Sequence, residues 1–329
     1  MGKSIKALVL DNTDGKLHAS VKEISKSDFP EGEVDVRILY SSLNYKDGLA
    51  ITGKGKIVRS FPFVPGIDFV GVVEESRSPC YKSGDKVILT GWGVGERHWG
   101  GFAQFARVKA DWLVPLPESL SPEHAMSLGT AGLTAILSVL ALEKQGVKPD
   151  GREVVVTGAA GGVGSMAVAI LARRGFKVVA STGRVETHVY LKSLGASDVI
   201  DRQLLASPGK PLESERWAGA VDTVGGATLA GVLRSMAYGG SVAACGLAGG
   251  NELSTTVFPF ILRGVNLLGI DSVYVPLEKR EEAWKLAAEL LAEIYQQVTR
   301  IVPLQELLTL SEEIIAGQVR GRVVVDVNA

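Results

Sequence analysis

The stretch Val154-Val-Val-Thr-Gly158-Ala-Ala-Gly161-Gly162-Val-Gly164, followed by the apolar run 166–172, decides the fold of this chain. The β-forming residues 153–157 lead into a glycine-rich turn, which opens a helix that ends at Arg173-Arg174-Gly175. Gly161 lets backbone N–H groups approach a pyrophosphate at the positive end of the helix, and Gly164 lets helix and strand pack closely. The strand before and the helix after supply the context of a dinucleotide-binding turn, and a turn without a ligand is the alternative.

The following strand predicts which dinucleotide is bound. An acidic side chain at its end would hydrogen-bond the 2′-hydroxyl of NAD, but the strand ends in Ser181, Thr182, Gly183 and Arg184, with no acid before Glu186. Hydroxyl groups and a guanidinium can hold a 2′-phosphate, which a carboxylate would repel. The sequence therefore favours NADPH. An Arg184 that is merely an exposed loop cation is the alternative.

Composition indicates an ordinary soluble enzyme of two domains. The chain has 329 residues, 46% hydrophobic and 22% charged, and a formal net charge of −1, so neither nucleic acid nor an anionic membrane surface is favoured as a partner. No apolar run approaches the roughly 20 residues that span a bilayer, and the first ten residues resemble a strand more than a signal peptide. The two cysteines, Cys80 and Cys245, suit a reducing cytoplasm.

The pattern of predicted strands and helices changes near residues 120 and 297. Short β-rich runs separated by Gly, Pro, Ser and Asp come first, at 6–10, 34–42, 69–74, 86–90 and 102–108. Strands predicted at 153–157, 177–181, 198–201, 219–223, 241–245 and 266–270 then alternate with helices, a further helix is predicted at 283–294, and a strand returns at 321–327. The prediction is an α/β protein with an irregular β-rich domain, 1–122 with 297–329, and a doubly wound parallel-sheet domain of the Rossmann type, 123–296.

Several motifs resemble the medium-chain dehydrogenase/reductase superfamily over essentially the whole chain. They are Pro65-Gly-Ile-Asp68-Phe-Val-Gly-Val-Val73, Gly84-Asp-Lys-Val87, Gly100-Gly-Phe-Ala103, Gly129-Thr-Ala-Gly-Leu-Thr-Ala135 and Leu194-Gly-Ala196. Ser41-Ser-Leu-Asn44-Tyr-Lys-Asp47 and Cys245-Gly-Leu-Ala-Gly-Gly250 are similar to its quinone-oxidoreductase-like branch. With Gly91-Trp-Gly-Val-Gly-Glu96, they most resemble the acrylyl-coenzyme A reductase subgroup. The resemblance implies a GroES-like fold for the β-rich domain, which would carry the catalytic residues.

Zinc ligands of the metal-dependent relatives are missing. Asn44 stands in the neighbourhood of their catalytic cysteine, and Gly66-Ile67-Asp68 stands where Gly-His-Glu would be. The four histidines show no ligand spacing, and two distant cysteines cannot form a four-cysteine zinc lobe. We therefore expect no metal. Without zinc to polarise an alcohol oxygen, reduction of an activated C=C is the favoured chemistry.

The donors for that reaction are predicted in the segment that replaces the zinc ligands. Hydride transfer to the β-carbon makes the thioester or ketone oxygen enolate-like, and Asn44 and Tyr45 can donate hydrogen bonds to it near the nicotinamide. Lys46 and Asp47 would orient them or relay a proton. In the alternative, Tyr45 only packs on the nicotinamide ring and Asp47 caps the following helix.

The resemblance implies a wider set of cofactor contacts, some of which the motifs above already indicate. Besides Tyr45, these residues are Thr130, Ala160, Gly161, Gly162, Val163, Thr182, Gly183, Arg184, Leu247, Ile270, Ser272 and Arg322. Arg202, just past the strand 198–201, is placed to reach the adenine or its phosphate. Asp222 and Arg263 are expected to be structural. A homodimer is the default expectation for the assembly.

Two segments are candidates for the substrate side. The run 51–59 carries Lys54, Lys56 and Arg59 without an acid, so it is either a contact for coenzyme A phosphates or a solvated loop. Trp92, His98 and Trp99 either wall an acyl pocket or pack the domain. The leading function is NADPH-dependent reduction of acryloyl-CoA, the second is a broader quinone or enone reductase, and the third is a dinucleotide-binding protein without turnover.

Overall fold

The computed structural model describes residues 4–291 and 294–329. Its internal contacts divide the chain into two compact units. The β-rich unit comprises Met1–Thr130, Val273–Ala288 and Val298–Ala329, and the parallel-sheet unit comprises Ala131–Ser272 and Glu289–Gln297. The predicted functional domains, 1–122 with 297–329 and 123–296, stay a prediction.

The secondary-structure elements are numbered in chain order. The strands are β1 (Ser4–Thr13), β2 (Lys16–Ser25), β3 (Val34–Leu43), β4 (Asp68–Ser76), β5 (Lys86–Thr90), β6 (Phe105–Val108), β7 (Leu113–Pro115), β8 (Glu153–Val156), β9 (Lys177–Thr182), β10 (Asp198–Asp201), β11 (Trp217–Asp222), β12 (Met236–Ala244), β13 (Asn266–Gly269), β14 (Thr299–Pro303) and β15 (Arg322–Asp326). The helices are α1 (Tyr45–Thr52), α2 (Pro122–Lys144), α3 (Gly162–Arg173), α4 (His188–Ser193), α5 (Gln203–Ala206), α6 (Gly226–Arg234), α7 (Phe258–Arg263), α8 (Leu277–Leu291), α9 (Tyr295–Val298) and α10 (Leu307–Ile315).

The β-rich unit is built on a mixed sheet in the order β14-β15-β3-β4-β5-β7, with β6 also paired to β3. β1 and β2 form a separate antiparallel hairpin, whose turn residues Asp14 and Gly15 have φ of 53° and 75°. Two successive positive φ angles match the twist of a tight hairpin, which explains the Asp-Gly pair. β15 closes the sheet by pairing antiparallel to β3, with Val323 opposite Leu43.

The parallel-sheet unit has the strand order β10-β9-β8-β11-β12-β13, with every neighbouring pair parallel. The connections reverse direction between β8 and β11, so a crevice for a ligand is expected beyond the carboxyl ends of these strands. β8 is apolar and buried throughout Val154–Val156, as a central parallel strand requires. The predicted α/β fold class is confirmed.

Helix α2 is long and apolar, and the sequence analysis made no prediction for it. Its length and composition would suffice to cross a membrane, but 78% of its most apolar window is buried inside the protein, as in a core helix. The helix is interrupted at Gly129, which has φ of 50° and ψ of −153°. This break becomes important for the polar groups described below.

Several predicted elements differ at their ends. The run 102–108 is a strand only over Phe105–Val108, and β12 starts at Met236 rather than at residue 241 because its first residues pair with the start of β11. The helix predicted at 283–294 begins at Leu277, and residues 292–293 lie outside the described part.

Candidate functional site

The glycine-rich turn follows β8 directly and is shaped by two close approaches. Gly158 has φ of 58°, and a Cβ atom there would stand 2.3 Å from Thr223 Oγ1. Gly164 lies in the first turn of α3, where a Cβ atom would stand 2.3 Å from Gly158 O and 2.7 Å from Ala159 Cα. α3 therefore packs on the turn at a distance that only glycine permits.

Gly161 differs from these two because nothing crowds it. It is the N-cap of α3 with an ordinary φ of −81°, and the nearest atom to an added Cβ is Gly158 O at 3.3 Å. The first N–H groups of α3 have no acceptor within the helix, and they lie at its positive end. The predicted pyrophosphate contacts Ala160, Gly161, Gly162 and Val163 thus lie together in a cradle that fits an anion.

The end of β9 brings together the residues predicted for the 2′-phosphate. The hydroxyl of Thr182 accepts a hydrogen bond from the backbone N–H of Arg184 at 3.2 Å. The Arg202 side chain lies against Gly183, since a Cβ atom on that glycine would be 2.6 Å from Arg202 Nε. The backbone N–H of Arg202 also donates to the Thr182 carbonyl at 3.0 Å. The Arg202 side chain therefore adjoins Gly183, between Thr182 and Arg184 in sequence, and this arrangement suits a phosphate better than a ribose hydroxyl.

Three further predicted contacts lie past the carboxyl ends of β12 and β13. The side chain of Leu247 is 57% exposed, and the backbone N–H of Ile270 donates to Ala244 O at 3.0 Å. Ser272 Oγ accepts a hydrogen bond from Thr134 Oγ1 at 2.8 Å. They share the sheet edge at which open α/β folds bind ligands. Thr130 and Arg322, by contrast, belong to the β-rich unit.

Asn44, Tyr45 and Asp47 form the N-terminal turn of α1 in the β-rich unit. Asp47 is completely buried, and its carboxylate accepts hydrogen bonds from the backbone N–H of Asn44 at 2.9 Å and of Ile67 at 3.0 Å. The first bond is half of a capping box, which ties the helix start to its own third residue. The second ties α1 to the chain just before β4.

Asp68 is the acceptor at the centre of this region. Its Oδ1 accepts from the Ser42 backbone N–H at 3.1 Å and from Ser42 Oγ at 2.7 Å. Its Oδ2 accepts from Asn44 Nδ2 at 3.0 Å and from the Thr130 backbone N–H at 2.8 Å. The Thr130 N–H is available because α2 breaks at Gly129, where a Cβ would lie 2.8 Å from Asp68 Oδ2.

Arg322 completes what we call the polar cluster, defined as Ser42, Asn44, Asp47, Asp68 and Arg322. Its guanidinium donates to Ser127 O at 2.9 Å, Ser42 Oγ at 2.7 Å, and both Leu43 O and Asn44 Oδ1 at 3.3 Å. Because arginine only donates, the Asn44 oxygen must face it and the Asn44 amide nitrogen must face Asp68 and Ser42 O. Both amide protons of Asn44 are therefore used inside the protein.

The polar cluster has no net charge when Asp47 holds a proton. Burial, together with the neighbouring Asp68, raises the pKa of Asp47 to about 8, although the two backbone hydrogen bonds act in the opposite direction. Burial lowers the pKa of Arg322, and the two carboxylates counteract this. A proton on Asp47 leaves one carboxylate charge opposite one guanidinium, so the cluster can be buried without a net charge. The guanidinium beside Asn44 also disfavours a divalent cation at this position.

Tyr45 is half-buried and its hydroxyl has no hydrogen-bond partner among residues 4–291 and 294–329. Lys46, by contrast, forms an ion pair with Glu96 at 2.7 Å. The Tyr45 hydroxyl thus remains available to a ligand, whereas the ammonium of Lys46 is already paired.

In the loop 91–99, Trp99 and His98 pack within the β-rich unit, whereas Trp92 has a positive φ angle. Trp99 stacks edge-on against Phe29, and His98 Nε2 lies 2.7 Å from Arg107 O, so both pack the unit. Burial lowers the pKa of His98, which does not favour it as a general acid. Trp92 has φ of 58° and lies 5.2 Å from the guanidinium of the buried Arg280.

Sequence reasoning missed the roles of Ser42, Asp68 and Gly129. In the sequence, Asp68 stands in a family string and in place of a zinc-ligand motif, and Gly129 stands in another family string. An acid, a hydroxyl and a glycine are too common to signal the hydrogen bonds to Asp68, which form across 24 to 62 residues of chain.

Comparison with known proteins agrees with this geometry. Residues 30–118 match the alcohol dehydrogenase GroES-like domain, and residues 162–293 match the zinc-binding dehydrogenase family. The chain is 57% identical over 327 residues to the acrylyl-CoA reductase AcuI of Ruegeria pomeroyi, covering 98% of this chain and 99% of that protein. It is 56% identical over 325 residues to the probable acrylyl-CoA reductase AcuI of Escherichia coli, covering 98% and 100%. The chain belongs to the quinone-oxidoreductase-like branch of the medium-chain dehydrogenase/reductase family.

Solved structures of this branch are similar over nearly their full length. The YhdH oxidoreductase of Salmonella enterica, solved in complex with NADP, is 54% identical with a TM-score of 0.96, covering 98% of this chain and 100% of that one. The putative quinone oxidoreductase YhfP of Bacillus subtilis is 46% identical over 328 residues, covering 99% of each chain. Its structure with NAD bound has a TM-score of 0.94, covering 99% and 100%. The predicted family and its branch are confirmed.

Proposed function

We propose that this protein is an NADPH-dependent reductase of an activated C=C bond, acting on acryloyl-CoA to form propanoyl-CoA without a metal. The observation that carries the proposal is the 57% identity, over 98% of the chain, to an acrylyl-CoA reductase. The geometry of both units is consistent with it. One unit holds an anion cradle and an arginine-lined turn, and the other presents a free tyrosine hydroxyl at a helix start.

The parallel-sheet unit fits NADPH. Backbone N–H groups at Ala160 to Val163 would bind the pyrophosphate, and Thr182, Arg184 and Arg202 would bind the 2′-phosphate. Bound NADPH supplies the hydride for the β-carbon of the substrate. Leu247, Ile270 and Ser272 would line the path of the dinucleotide along the sheet edge.

Tyr45 is the proposed donor to the substrate. As the β-carbon gains hydride, negative charge develops on the thioester oxygen, and the free Tyr45 hydroxyl donates a hydrogen bond to it. The α-carbon then takes up one proton from solvent, which completes the saturated thioester. Asn44 is proposed as a positioning residue, because its amide protons already bind Asp68 and Ser42 O. Asp47 holds a buried proton and fixes the start of α1, so it positions Tyr45. Arg322, as a member of the polar cluster, and Thr130, whose backbone N–H binds Asp68, would act on the cofactor only through this cluster.

A quinone or enone reductase is the second candidate, supported by the 46% identity to the putative quinone oxidoreductase YhfP. The same hydrogen-bond donor can serve a ketone oxygen as well as a thioester oxygen, so the donors do not distinguish the two candidate functions. The substrate preference of the enzyme distinguishes them.

The test is the ratio of kcat/KM for acryloyl-CoA to kcat/KM for a benzoquinone and for an enone, each with NADPH. We expect acryloyl-CoA to be preferred by at least about 100-fold, which is within the roughly 10⁴- to 10⁵-fold that a site with dedicated polar contacts can reach. A preference for the quinone or the enone would replace the proposed function by the second candidate. If the protein binds NADPH but turns over none of the three substrates, it is a dinucleotide-binding protein without turnover.

We also propose a cytoplasmic homodimer. Both cysteines are free, as in a reducing compartment. The residues that support a dimer are exposed apolar side chains on α7 and the edge strand β13, namely Phe258, Ile261, Leu262 and Leu267, which are 42%, 68%, 57% and 37% exposed.

A further inference from the structure

A basic segment follows α1 in the β-rich unit, and we define it as residues 54–61. Lys54, Lys56, Arg59 and Ser60 are exposed, and the Phe61 ring is 36% exposed. No acidic residue occurs from position 51 to position 67. The segment is therefore a local concentration of positive charge with an aromatic face at its end.

Only the first of its three cations is paired. Lys54 Nζ lies 2.5 Å from Glu312 Oε2 of α10, and both side chains are more than half exposed. Lys56 and Arg59 have no ion pair with any residue in the ranges 4–291 and 294–329. Two cations without a partner at a surface are available to an anion from solution.

The backbone of the segment is held in place. Gly53 ends α1 in the left-handed conformation, with φ of 69°, and the backbone N–H of Gly55 donates to Leu49 O at 3.2 Å. Beyond the segment, Phe63 exchanges two backbone hydrogen bonds with Leu10, at 2.9 and 2.7 Å. Ile57 and Val58 pack against the hydrophobic core between the two unpaired cations. Lys56 and Arg59 are thus presented on an anchored stretch.

The position of the segment relative to Tyr45 matters. α1 has eight residues, so it is about 12 Å long at 1.5 Å per residue. Tyr45 opens the helix and the basic segment follows its other end. A coenzyme A thioester has the same layout, because its phosphates lie at the far end of the extended pantetheine arm from the thioester oxygen.

We propose that Lys56 and Arg59, with the ring of Phe61, bind the phosphorylated adenosine end of a coenzyme A thioester. The guanidinium can bind a phosphate with two parallel hydrogen bonds, the ammonium adds a point charge, and the exposed ring offers a face on which adenine stacks. This inference rests on the proposed function and assigns the part of the substrate that the chemistry at Tyr45 does not touch.

The test compares two substrates in the double variant Lys56→Glu/Arg59→Glu. Acryloyl-pantetheine keeps the thioester and the arm of acryloyl-CoA but lacks its adenosine and phosphates. In the variant we expect KM for acryloyl-CoA to rise at least about tenfold, since charge-assisted bonds to phosphate are lost and repulsion replaces them, with kcat unchanged. The kinetic parameters for acryloyl-pantetheine and KM for NADPH should stay within about twofold of wild type.

The matched control is Lys148→Glu/Arg152→Glu, which makes the same change of charge at two exposed residues before β8. It should alter none of these parameters. The conservative variant Lys56→Arg/Arg59→Lys should retain most of the affinity. In wild type, added salt should raise KM for acryloyl-CoA and not for acryloyl-pantetheine.

Two results would overturn the proposal: an unchanged KM for acryloyl-CoA in the glutamate variant, or an equal rise for both thioesters. A rise in KM for NADPH instead would assign the cations to the cofactor, which also overturns it. The Kd of free coenzyme A, measured by calorimetry with the same variants, separates the proposal from the proposed function. Coenzyme A binding that the glutamate variant weakens, in an enzyme that turns over no thioester, would contradict the function and support the site.

Discussion

Asp68 is the residue through which the polar interior of the β-rich unit is connected. It accepts four hydrogen bonds from three separate parts of the chain, β3, the start of α1 and the break in α2. A completely buried carboxylate is stable only when such donors and a counter-charge replace its water. The cost of burying Asp68 is thus offset by the groups that also orient Asn44, the N-cap of the helix that begins with Tyr45.

Replacement of Tyr45 tests its role as the donor. Tyr45→Phe should lower kcat for acryloyl-CoA by roughly 10²- to 10³-fold, as loss of an oxyanion donor does elsewhere, while the affinity for NADPH barely changes. Single-turnover kinetics would ensure that chemistry is measured. If the tyrosine only packs on the nicotinamide, Tyr45→Phe would keep nearly full kcat and Tyr45→Ala would raise the Kd of NADPH.

We expect cofactor choice to be decided by Arg184 and Arg202, the arginines next to Gly183. Arg184→Ala should weaken NADPH binding by about 1.5 to 3 kcal/mol, the range for a charged hydrogen bond, and should leave NADH binding unaffected. Fluorescence titration with both cofactors measures this. Arg152→Ala removes an exposed arginine before β8 and serves as the control. Equal use of NADPH and NADH by the wild-type enzyme would contradict the assignment.

The buried Asp47 makes stability depend on pH. Its pKa is raised from 3.8 to about 8 in the folded protein, so the folded state holds a proton that the unfolded state has released over this range. The contribution of this group to the free energy of unfolding should therefore fall as the pH rises from about 4 to 8, with a slope approaching 1.4 kcal/mol per pH unit. Urea denaturation at pH 5, 6, 7 and 8 measures it.

Asp47→Asn should flatten that dependence, because the amide does not titrate. Asp111→Asn, which changes an exposed carboxylate of the same unit, should leave it as in wild type. If wild type and Asp47→Asn have parallel pH profiles of stability, the pKa of the Asp47 carboxyl is not raised in the folded state.

At the scale of single elements, two glycines at the start of α3 are expected to serve different purposes. Gly164 is needed for folding stability, and Gly161 is needed for cofactor binding. Gly164→Ala places a methyl group 2.3 Å from the backbone oxygen of Gly158, which cannot rotate away, so it should lower the free energy of unfolding by about 1 to 3 kcal/mol. Gly161→Ala meets its nearest atom at 3.3 Å with an ordinary φ, and should cost less than about 1 kcal/mol.

Gly161→Ala should nevertheless raise the Kd of NADPH at least about tenfold, since the methyl group occupies the approach of the pyrophosphate. Thermal denaturation and cofactor titration of the two variants give the comparison. A Gly161→Ala protein that binds NADPH as tightly as wild type would remove this glycine from the cradle.

Local sequence patterns were sufficient to predict the parallel-sheet unit. Each of its strands is a short apolar run that ends in a turn signal, and all six were placed within a few residues, apart from the early start of β12. Strands that alternate with helices imply right-handed crossovers and a parallel sheet, whereas the order of the strands was not predicted. The anion cradle is predictable for the same reason, because its glycines are neighbours in sequence.

The polar cluster was not predictable in this way. Asn44 and Tyr45 were expected as a pair of donors, but the donors of Asn44 are consumed by Asp68 and Ser42 O, which local sequence does not reveal. The break at Gly129 was hidden inside an apolar stretch that reads as one helix. Likewise, no sequence pattern around Arg280 indicates that this side chain is completely buried and donates hydrogen bonds to Thr90 O and Val273 O.

At the scale of the whole molecule, the apolar face of α7 and β13 predicts self-association. β13 ends the parallel sheet, and its second edge pairs with no strand in the described part of the chain. An exposed apolar edge strand is an aggregation hazard unless another chain covers it. We therefore expect wild type to sediment as a dimer.

The variant Ile261→Asp/Leu267→Lys should sediment as a monomer, because charges on this face oppose burial against a second copy. Val185→Asp/Val189→Lys changes two exposed valines elsewhere, 74% and 82% exposed, and should remain a dimer. A monomeric wild-type protein at micromolar concentration would contradict the assembly.

The pairing of Arg322 with Asn44 spans 278 residues, and this distance has a consequence for biosynthesis. At 5 to 20 residues per second, a ribosome needs roughly 14 to 56 seconds to add that much chain. During this time the nascent β3 has no β15 beside it, and Asp47 and Asp68 have no guanidinium. The segment 131–272 is continuous and emerges complete within the same interval. Most of the parallel-sheet unit is therefore synthesised while the unit that carries Tyr45 still lacks β15.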